Sequence, residues 1–133
     1  MSTLLSIAKR NAVLSRMATL LEEERANLKA INKQDLDNYS GADLAMEKRL
    51  LVDDVKIDGM ILSMQQLASQ EDPIGVERFH FVHEKGMKIT NKTAAFGTVM
   101  IIYESRPDVT VEAGGIAFKS GNKILLKGGK ESL

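Results

Sequence analysis

The chain has 133 residues, and 44% of them are hydrophobic, which is enough for the core of one small domain. Its 18 basic and 18 acidic residues balance to a net charge of zero, which argues against a general nucleic-acid or anionic-membrane binder. It contains no cysteine, which excludes disulfides, thiolate metal sites and a cysteine nucleophile within these residues. No window approaches the roughly 20 apolar residues of a membrane span, and the N-terminal stretch lacks the apolar segment of a signal peptide. We therefore expect a cytoplasmic protein.

The N-terminal part, residues 1–72, is predicted to be helical. Apolar side chains at helical spacing predict an amphipathic helix over residues 3–31. A polar, turn-rich segment at 32–41 and a short helix at 42–50 should follow.

The next helix is predicted to begin at an aspartate cap, either Asp53 or Asp54. Its apolar stripe consists of Ile57, Met60, Ile61, Met64, Leu67 and Ala68. The proline and glycine within residues 71–75 then end the helical part.

Residues 76–94 alternate between apolar and polar side chains around Lys85 and Gly86, which predicts an antiparallel β-hairpin. The candidates for its buried positions are Phe79, Phe81, Met87 and Ile89. An isolated hairpin is only marginally stable in water. We therefore expect this one to lean on its own core or on a second subunit, and we expect a homo-oligomer.

Residues 96–133 are predicted to form a strand, a helix, a second strand and a glycine turn. The apolar runs at 98–103 and 123–127 are typical of strands covered on both faces. Pro107 suits the first turn of the intervening helix, and Gly121 suits its left-handed stop. One face of this helix would carry Val109, Ala113, Ile116 and Ala117. A helix that joins two strands makes them parallel, so the predicted fold class is α/β.

Three motifs fall short of a specific site. His80 and His83 would point to opposite faces of a strand and have no evident third ligand, so they do not indicate a metal site. Residues 127–132 lack the upstream glycine of a phosphate loop, and Glu131 stands where a serine or threonine should follow the lysine. The dinucleotide motif G-x-G-x-x-G is absent. What remains is Lys127 at the carboxyl end of a parallel strand, where α/β sheets bind ligands; the alternative is an ordinary exposed lysine.

The segment YESRPDVTVEAGGIAFKSGNKILLKGGKES, residues 103–132, resembles the γ-glutamyl phosphate reductase family, also called glutamate-5-semialdehyde dehydrogenases, of the aldehyde dehydrogenase superfamily. The likeness extends more loosely upstream through residues 71–75, the hairpin and the first helix. It implies that the chain is the N-terminal part of the NADP-binding domain of a longer reductase. The helices and the hairpin would lead into the first βαβ unit of that domain.

The resemblance also implies a set of site residues and no metal. Gly121, Asn122 and the apolar run that ends at Lys127 resemble the superfamily segment whose lysine meets the adenosine ribose of the cofactor. A cation there also suits the 2′-phosphate of NADP. The cofactor contacts would be Lys127, Gly128, Gly129, Glu131 and Ser105. The substrate side would be formed by Arg106, Pro107 and Asp108.

The implied reaction is the NADPH-dependent reduction of γ-glutamyl phosphate to glutamate 5-semialdehyde in proline biosynthesis. A cysteine thiolate of the family displaces phosphate, and hydride then reduces the thioester. Because this sequence has no cysteine, the nucleophile is expected downstream and the chain alone is predicted to be inactive. Two alternatives remain: a non-catalytic nucleotide-binding or oligomerisation module, and a part of a bifunctional kinase-reductase.

Asp108 departs from the family pattern, in which many relatives have an asparagine. An asparagine amide can donate a hydrogen bond to an oxyanion, whereas a carboxylate cannot unless it is protonated. A role as a helix cap therefore fits Asp108 better.

Overall fold

The computed structural model describes residues 4–41 and 43–130. Helices come first, and a two-stranded antiparallel sheet and a parallel βαβ unit follow, so the predicted α/β class with its hairpin is confirmed. No helix in these two ranges is long and apolar enough to cross a bilayer. The elements are α1 (Ile7–Glu23), α2 (Arg25–Asn38), α3 (Leu44–Leu50), α4 (Asp54–Ser69), β1 (Glu77–Val82), β2 (Lys88–Lys92), β3 (Thr98–Ile102), α5 (Pro107–Lys119) and β4 (Lys123–Lys127).

Short polar side chains cap three of the helices. Ser6 accepts a hydrogen bond from the Lys9 amide at the start of α1, at 3.4 Å. Asp53, the first of the two predicted alternatives, caps α4 by accepting from the Lys56 amide at 2.9 Å. Asp43 caps α3 in the same way. Each cap satisfies a backbone N–H that has no partner inside its helix.

The predicted turn-rich segment at 32–41 is wrong over residues 32–38, where α2 continues, and correct over residues 39–41, which follow the end of that helix. A buried polar residue explains the difference. The Asn32 side chain donates to the Leu50 carbonyl at 2.8 Å and accepts from the Val52 amide at 2.6 Å. An asparagine that reads as a loop signal is thus a helical residue that joins α2 to the segment between α3 and α4. The predicted long first helix is interrupted at Glu24.

The helical core lies between α1, α4 and α5. One buried cluster consists of Leu14, Ala18 and Met64, and Val111 and Phe118 of α5 pack against it. A second cluster consists of Val52, Ile57 and Met60. The methionines of the α4 stripe therefore fill the core, as their spacing predicts.

The strands of the hairpin pair as predicted, but the prediction of its buried positions is wrong for three of the four residues. β1 pairs with β2 so that Phe81 lies opposite Ile89. Ile89 is half-buried, whereas Phe79, Phe81 and Met87 are exposed within this chain. No other described element packs over them, so their apolar surface is left open.

The βαβ unit has the predicted parallel pairing. Gly121 ends α5 with a φ of 72°, a conformation that only glycine adopts without strain. The strands are covered on one face only, which corrects the prediction of coverage on both. Met100 and Ile102 of β3 are 56% and 71% exposed, because α5 packs against the other face. Ile116 is also exposed, since the described helices pack against Val111 and Phe118 instead.

Candidate cofactor site

The two parallel strands end side by side at one edge of their sheet. Ile102 pairs with Lys127, and the Tyr103 amide donates to the Lys127 carbonyl at 3.0 Å. Residues 103–108 and 128–130 therefore leave the sheet from the same edge. The carboxyl edge of a parallel sheet is where α/β proteins commonly bind ligands. The fold thus brings the two groups of predicted site residues to one place.

The predicted site residues differ in their accessibility. Lys127 and Arg106 are exposed, and Ser105 is fully buried. The residues of intermediate burial are Pro107, Asp108, Gly128 and Gly129. Glu131 lies outside the described residues. Among the described residues, the exposed cationic side chains at this edge are therefore Lys127 from β4, Arg106 from the segment after β3 and Lys130 from the turn after β4.

Tyr103 is a residue of this edge that the sequence reasoning missed. Its hydroxyl lies 2.5 Å from the Thr110 hydroxyl in the first turns of α5. A Cβ atom at Gly128 would lie 3.6 Å from its ring, which is ordinary van der Waals contact. Tyr103 therefore connects the end of β3 to both α5 and the glycine turn. An aromatic residue at the end of an apolar strand, directly before a turn, was the available signal.

Asp108 makes an ion pair rather than a cap. Its Oδ2 atom accepts from Arg106 Nη2 at 2.8 Å, and α5 begins without a side-chain cap. Hydrogen bonding to Asp108, and then the charge of that carboxylate, raise the pKa of Arg106. The negative charge still lies in the first turn of α5, where it is favourable to the helix dipole. Oδ1 is buried and has no hydrogen-bond partner within the described residues.

A cavity of about 490 Å³ adjoins this edge. Its wall on the sheet side includes Tyr103, Pro107, Gly128 and Gly129, and the opposite wall comes from α1, α2 and α4. This opposite wall is mainly apolar, although Asn32 and Asp35 belong to it. Its apolar members are Leu21, Leu28, Ile31 and Met60 from the helices and Val52 from the segment before α4. Burial of an unpaired phosphate among such side chains would be costly. A charged group bound at this edge would therefore lie outside the cavity, towards Lys127.

The similar proteins found by sequence and by structure are all γ-glutamyl phosphate reductases. The chain is 39% identical to γ-glutamyl phosphate reductase of Sulfurimonas denitrificans over 132 residues, which cover 98% of this chain. It is 37% identical to that of a Hydrogenobaculum species over 131 residues. The crystal structure of γ-glutamyl phosphate reductase from Thermotoga maritima matches 96% of the chain with a TM-score of 0.89 and 34% identity. The structure of the Saccharomyces cerevisiae reductase does so with a TM-score of 0.90 and 31% identity. This chain is a relative of the γ-glutamyl phosphate reductases. No protein-family model matches it.

The relationship confirms the resemblance, both in residues 103–132 and in its looser extension upstream. The chain spans about a third of the length of the γ-glutamyl phosphate reductases it matches, 32% of the Sulfurimonas protein and 31% of the Thermotoga one. The helices, the hairpin and the βαβ unit therefore correspond to one part of a γ-glutamyl phosphate reductase fold.

The two histidines belong to the hairpin. His80 is exposed on β1 and lies 2.6 Å from Glu77, and His83 accepts from the Lys85 amide at 3.2 Å. Within residues 4–41 and 43–130, no group of three His, Asp or Glu side chains is placed to hold a metal ion.

Proposed function

We propose that this chain supplies part of the NADP site of a γ-glutamyl phosphate reductase. The whole enzyme would reduce γ-glutamyl phosphate to glutamate 5-semialdehyde in proline biosynthesis, in the cytoplasm. The observation that carries the proposal is the pairing of Tyr103 with Lys127, which puts the ends of β3 and β4 at one edge in a chain related to these reductases.

Lys127 is the proposed contact for the 2′-phosphate and the adenosine ribose. Its exposed ammonium group stands at the end of β4, and the two glycines that follow let a ligand approach the backbone closely. Glu131 is proposed to meet the same ribose. The charge of the lysine would favour the 2′-phosphate over a 2′-hydroxyl, because a phosphate carries negative charge that a ribose hydroxyl lacks.

The other strand end is proposed to face the nicotinamide and the substrate. Ser105, Arg106 and Pro107 lie there, and the bound cofactor would supply hydride. Arg106 keeps guanidinium donors beyond the one that Asp108 accepts, so it can hold an anionic group of the substrate. Asp108 is occupied by Arg106 and as a carboxylate cannot donate to an oxyanion, so its proposed role is to orient Arg106.

The chemistry needs a nucleophile that this chain does not contain. The sequence has no cysteine, so we propose that the thiolate of the reductase lies elsewhere and that the 133-residue chain has no turnover. An assay that follows NADPH absorbance with γ-glutamyl phosphate would detect any activity. Measurable turnover by the purified chain would contradict this part of the proposal.

The proposed reductase is also a homo-oligomer. Support comes from the hairpin, on which Phe79, Phe81 and Met87 are exposed within the chain, since apolar surface of this kind favours a second subunit. Light scattering would measure the assembly, and a monodisperse monomer that melts cooperatively would count against it.

The binding experiment compares two lysines of one strand. Titration of the chain with NADPH and NADH, followed by the fluorescence of the reduced nicotinamide, measures both affinities. Lys127→Met should weaken NADPH binding by about 10- to 100-fold, the value of a charge-assisted contact, and should remove the preference for NADPH. Lys123→Met is the matched control, because Lys123 is exposed at the opposite end of the same strand. Equal affinities for the two variants would refute the assignment of Lys127.

A further inference from the structure

A buried charged cluster lies at the end of the βαβ unit that is remote from the proposed site. Arg10 of α1 and Lys119 of α5 are each 2% exposed, and Asp72 is their acidic neighbour. Arg10 Nη2 donates to Asp72 Oδ2 at 2.6 Å, and Arg10 Nη1 donates to the Lys119 carbonyl. The cluster thus buries two cations, of which only Arg10 is paired with the carboxylate. Burial of such a group costs free energy that an apolar cluster of the same size would not cost, so stability alone does not account for this cluster.

The cluster holds the C-terminal end of α5 from two sides. Lys119 is the last residue of α5, and its backbone carbonyl is the group that Arg10 binds. Its ammonium group donates to Asn11 Oδ1 and to the Gln70 carbonyl, both at 2.7 Å. Asp72 in turn accepts from the Ile74 amide at 3.0 Å. The helix end is therefore attached to α1 and to the segment that follows α4.

The opposite end of α5 is the proposed substrate side. A helix of 13 residues is a stiff rod about 20 Å long, so a shift along its axis at one end is transmitted to the other. Other contacts of α5 are made by side chains, among them the hydrogen bond of Ser63 in α4 to Glu112 at 3.1 Å and that between the hydroxyls of Tyr103 and Thr110. The bond of Arg10 differs from these contacts because it acts on a backbone carbonyl at the C-terminal end of the helix.

We infer that Arg10 is a positioning residue for the proposed site: by holding the C-terminal end of α5, it determines where residues 105–108 lie at the other end. The effect on ligand binding rests on the proposed function, but the effect on the geometry of α5 does not. Asp72 assists by orienting the guanidinium group.

The first test needs no ligand. Amide ¹H–¹⁵N spectra would be compared for Arg10→Lys, Asp72→Asn and the control Arg16→Gln, which removes an exposed ion pair of the same helix. Lysine keeps the charge but lacks the two separate nitrogens with which the guanidinium group donates to the helix carbonyl and to Asp72. We expect the signals of residues 105–110 to move in the first two variants and to stay in place in the control. Shifts confined to the neighbours of the cluster would overturn the inference. If Arg10→Lys does not fold, the spectrum of Asp72→Asn alone tests the inference.

The second test measures NADPH affinity by fluorescence well below the melting temperature. We expect binding at least about threefold weaker in Arg10→Lys than in Arg16→Gln. Equal affinity in the two variants would refute the functional part of the inference. Failure of the unaltered chain to bind NADPH would count against the proposed function instead, and the spectra would then decide on Arg10 alone.

Discussion

Gly115 of α5 lies in close contact with side chains of α4, and it permits a stringent test of the packing. A methyl group added there would lie 2.5 Å from Met64 Cε and 3.0 Å from Leu67 Cδ1. A methyl group at the adjacent Gly114 would meet nothing within 4 Å. Neither glycine has a positive φ. Gly114→Ala and Gly115→Ala therefore gain similar helix propensity and differ in packing.

The sizes of these two effects decide whether each variant is more or less stable than the unaltered chain. Replacement of a helical glycine by alanine stabilises by about 0.5–1 kcal/mol. A methyl group forced into a well-packed core costs about 1–3 kcal/mol. Met64 is fully buried, so its terminal methyl cannot swing into solvent. We expect the free energy of unfolding of Gly114→Ala to be about 0.5–1 kcal/mol higher than that of the unaltered chain. That of Gly115→Ala should be about 0–2 kcal/mol lower.

Urea unfolding followed by circular dichroism at 222 nm measures both free energies. The variants should differ by about 1–3 kcal/mol, with Gly115→Ala the less stable. In a Met64→Ala background the added methyl group has room, so Gly115→Ala should become neutral or stabilising there. Equal stability of Gly114→Ala and Gly115→Ala would refute the close approach of the two helices.

Three further predictions concern single side chains. Asn32→Ala should destabilise by about 2–4 kcal/mol, because the Leu50 carbonyl and the Val52 amide lose their buried partner; urea unfolding measures it. Asp53→Ala should cost about 1 kcal/mol and reduce helicity, through loss of the cap of α4. Burial, and then the charge of the adjacent arginine, lower the pKa of Lys119 below 10.5. The unfolded chain thus binds more protons, and stability should rise with pH over the window below 10.5; Lys119→Met should flatten that rise.

Matched variants serve as controls for these predictions. Asn27→Ala removes an exposed hydrogen bond of α2 and should leave the free energy of unfolding nearly unchanged, in contrast to Asn32→Ala. Asp37→Ala removes an exposed carboxylate that caps no helix, for comparison with Asp53→Ala. Lys123→Met is the control for the pH profile. A Lys119→Met profile as steep as that of Lys123→Met would contradict the assignment to Lys119.

Local chemistry explains which features could be predicted from the sequence. Asp53 and Gly121 act within one helical turn of their own position, as a cap and as a left-handed stop. The parallel pairing of β3 with β4 follows from the helix that joins them. The placement of Lys127 at a strand end required no more than this, and one contiguous segment, residues 103–132, was sufficient for the family.

The tertiary structure alone decided the features that depend on partners distant in the sequence. Asn32 is helical because its amide bonds residues about 20 positions away, and no local signal contains those partners. The exposure of Ile116 was decided by which side of α5 packs against the other helices. Arg10 and Lys119 are of residue types that are rarely buried, and they are buried here because the fold brings them together from positions 109 residues apart. Side-chain periodicity describes each element alone, whereas burial depends on the packing of one element against another.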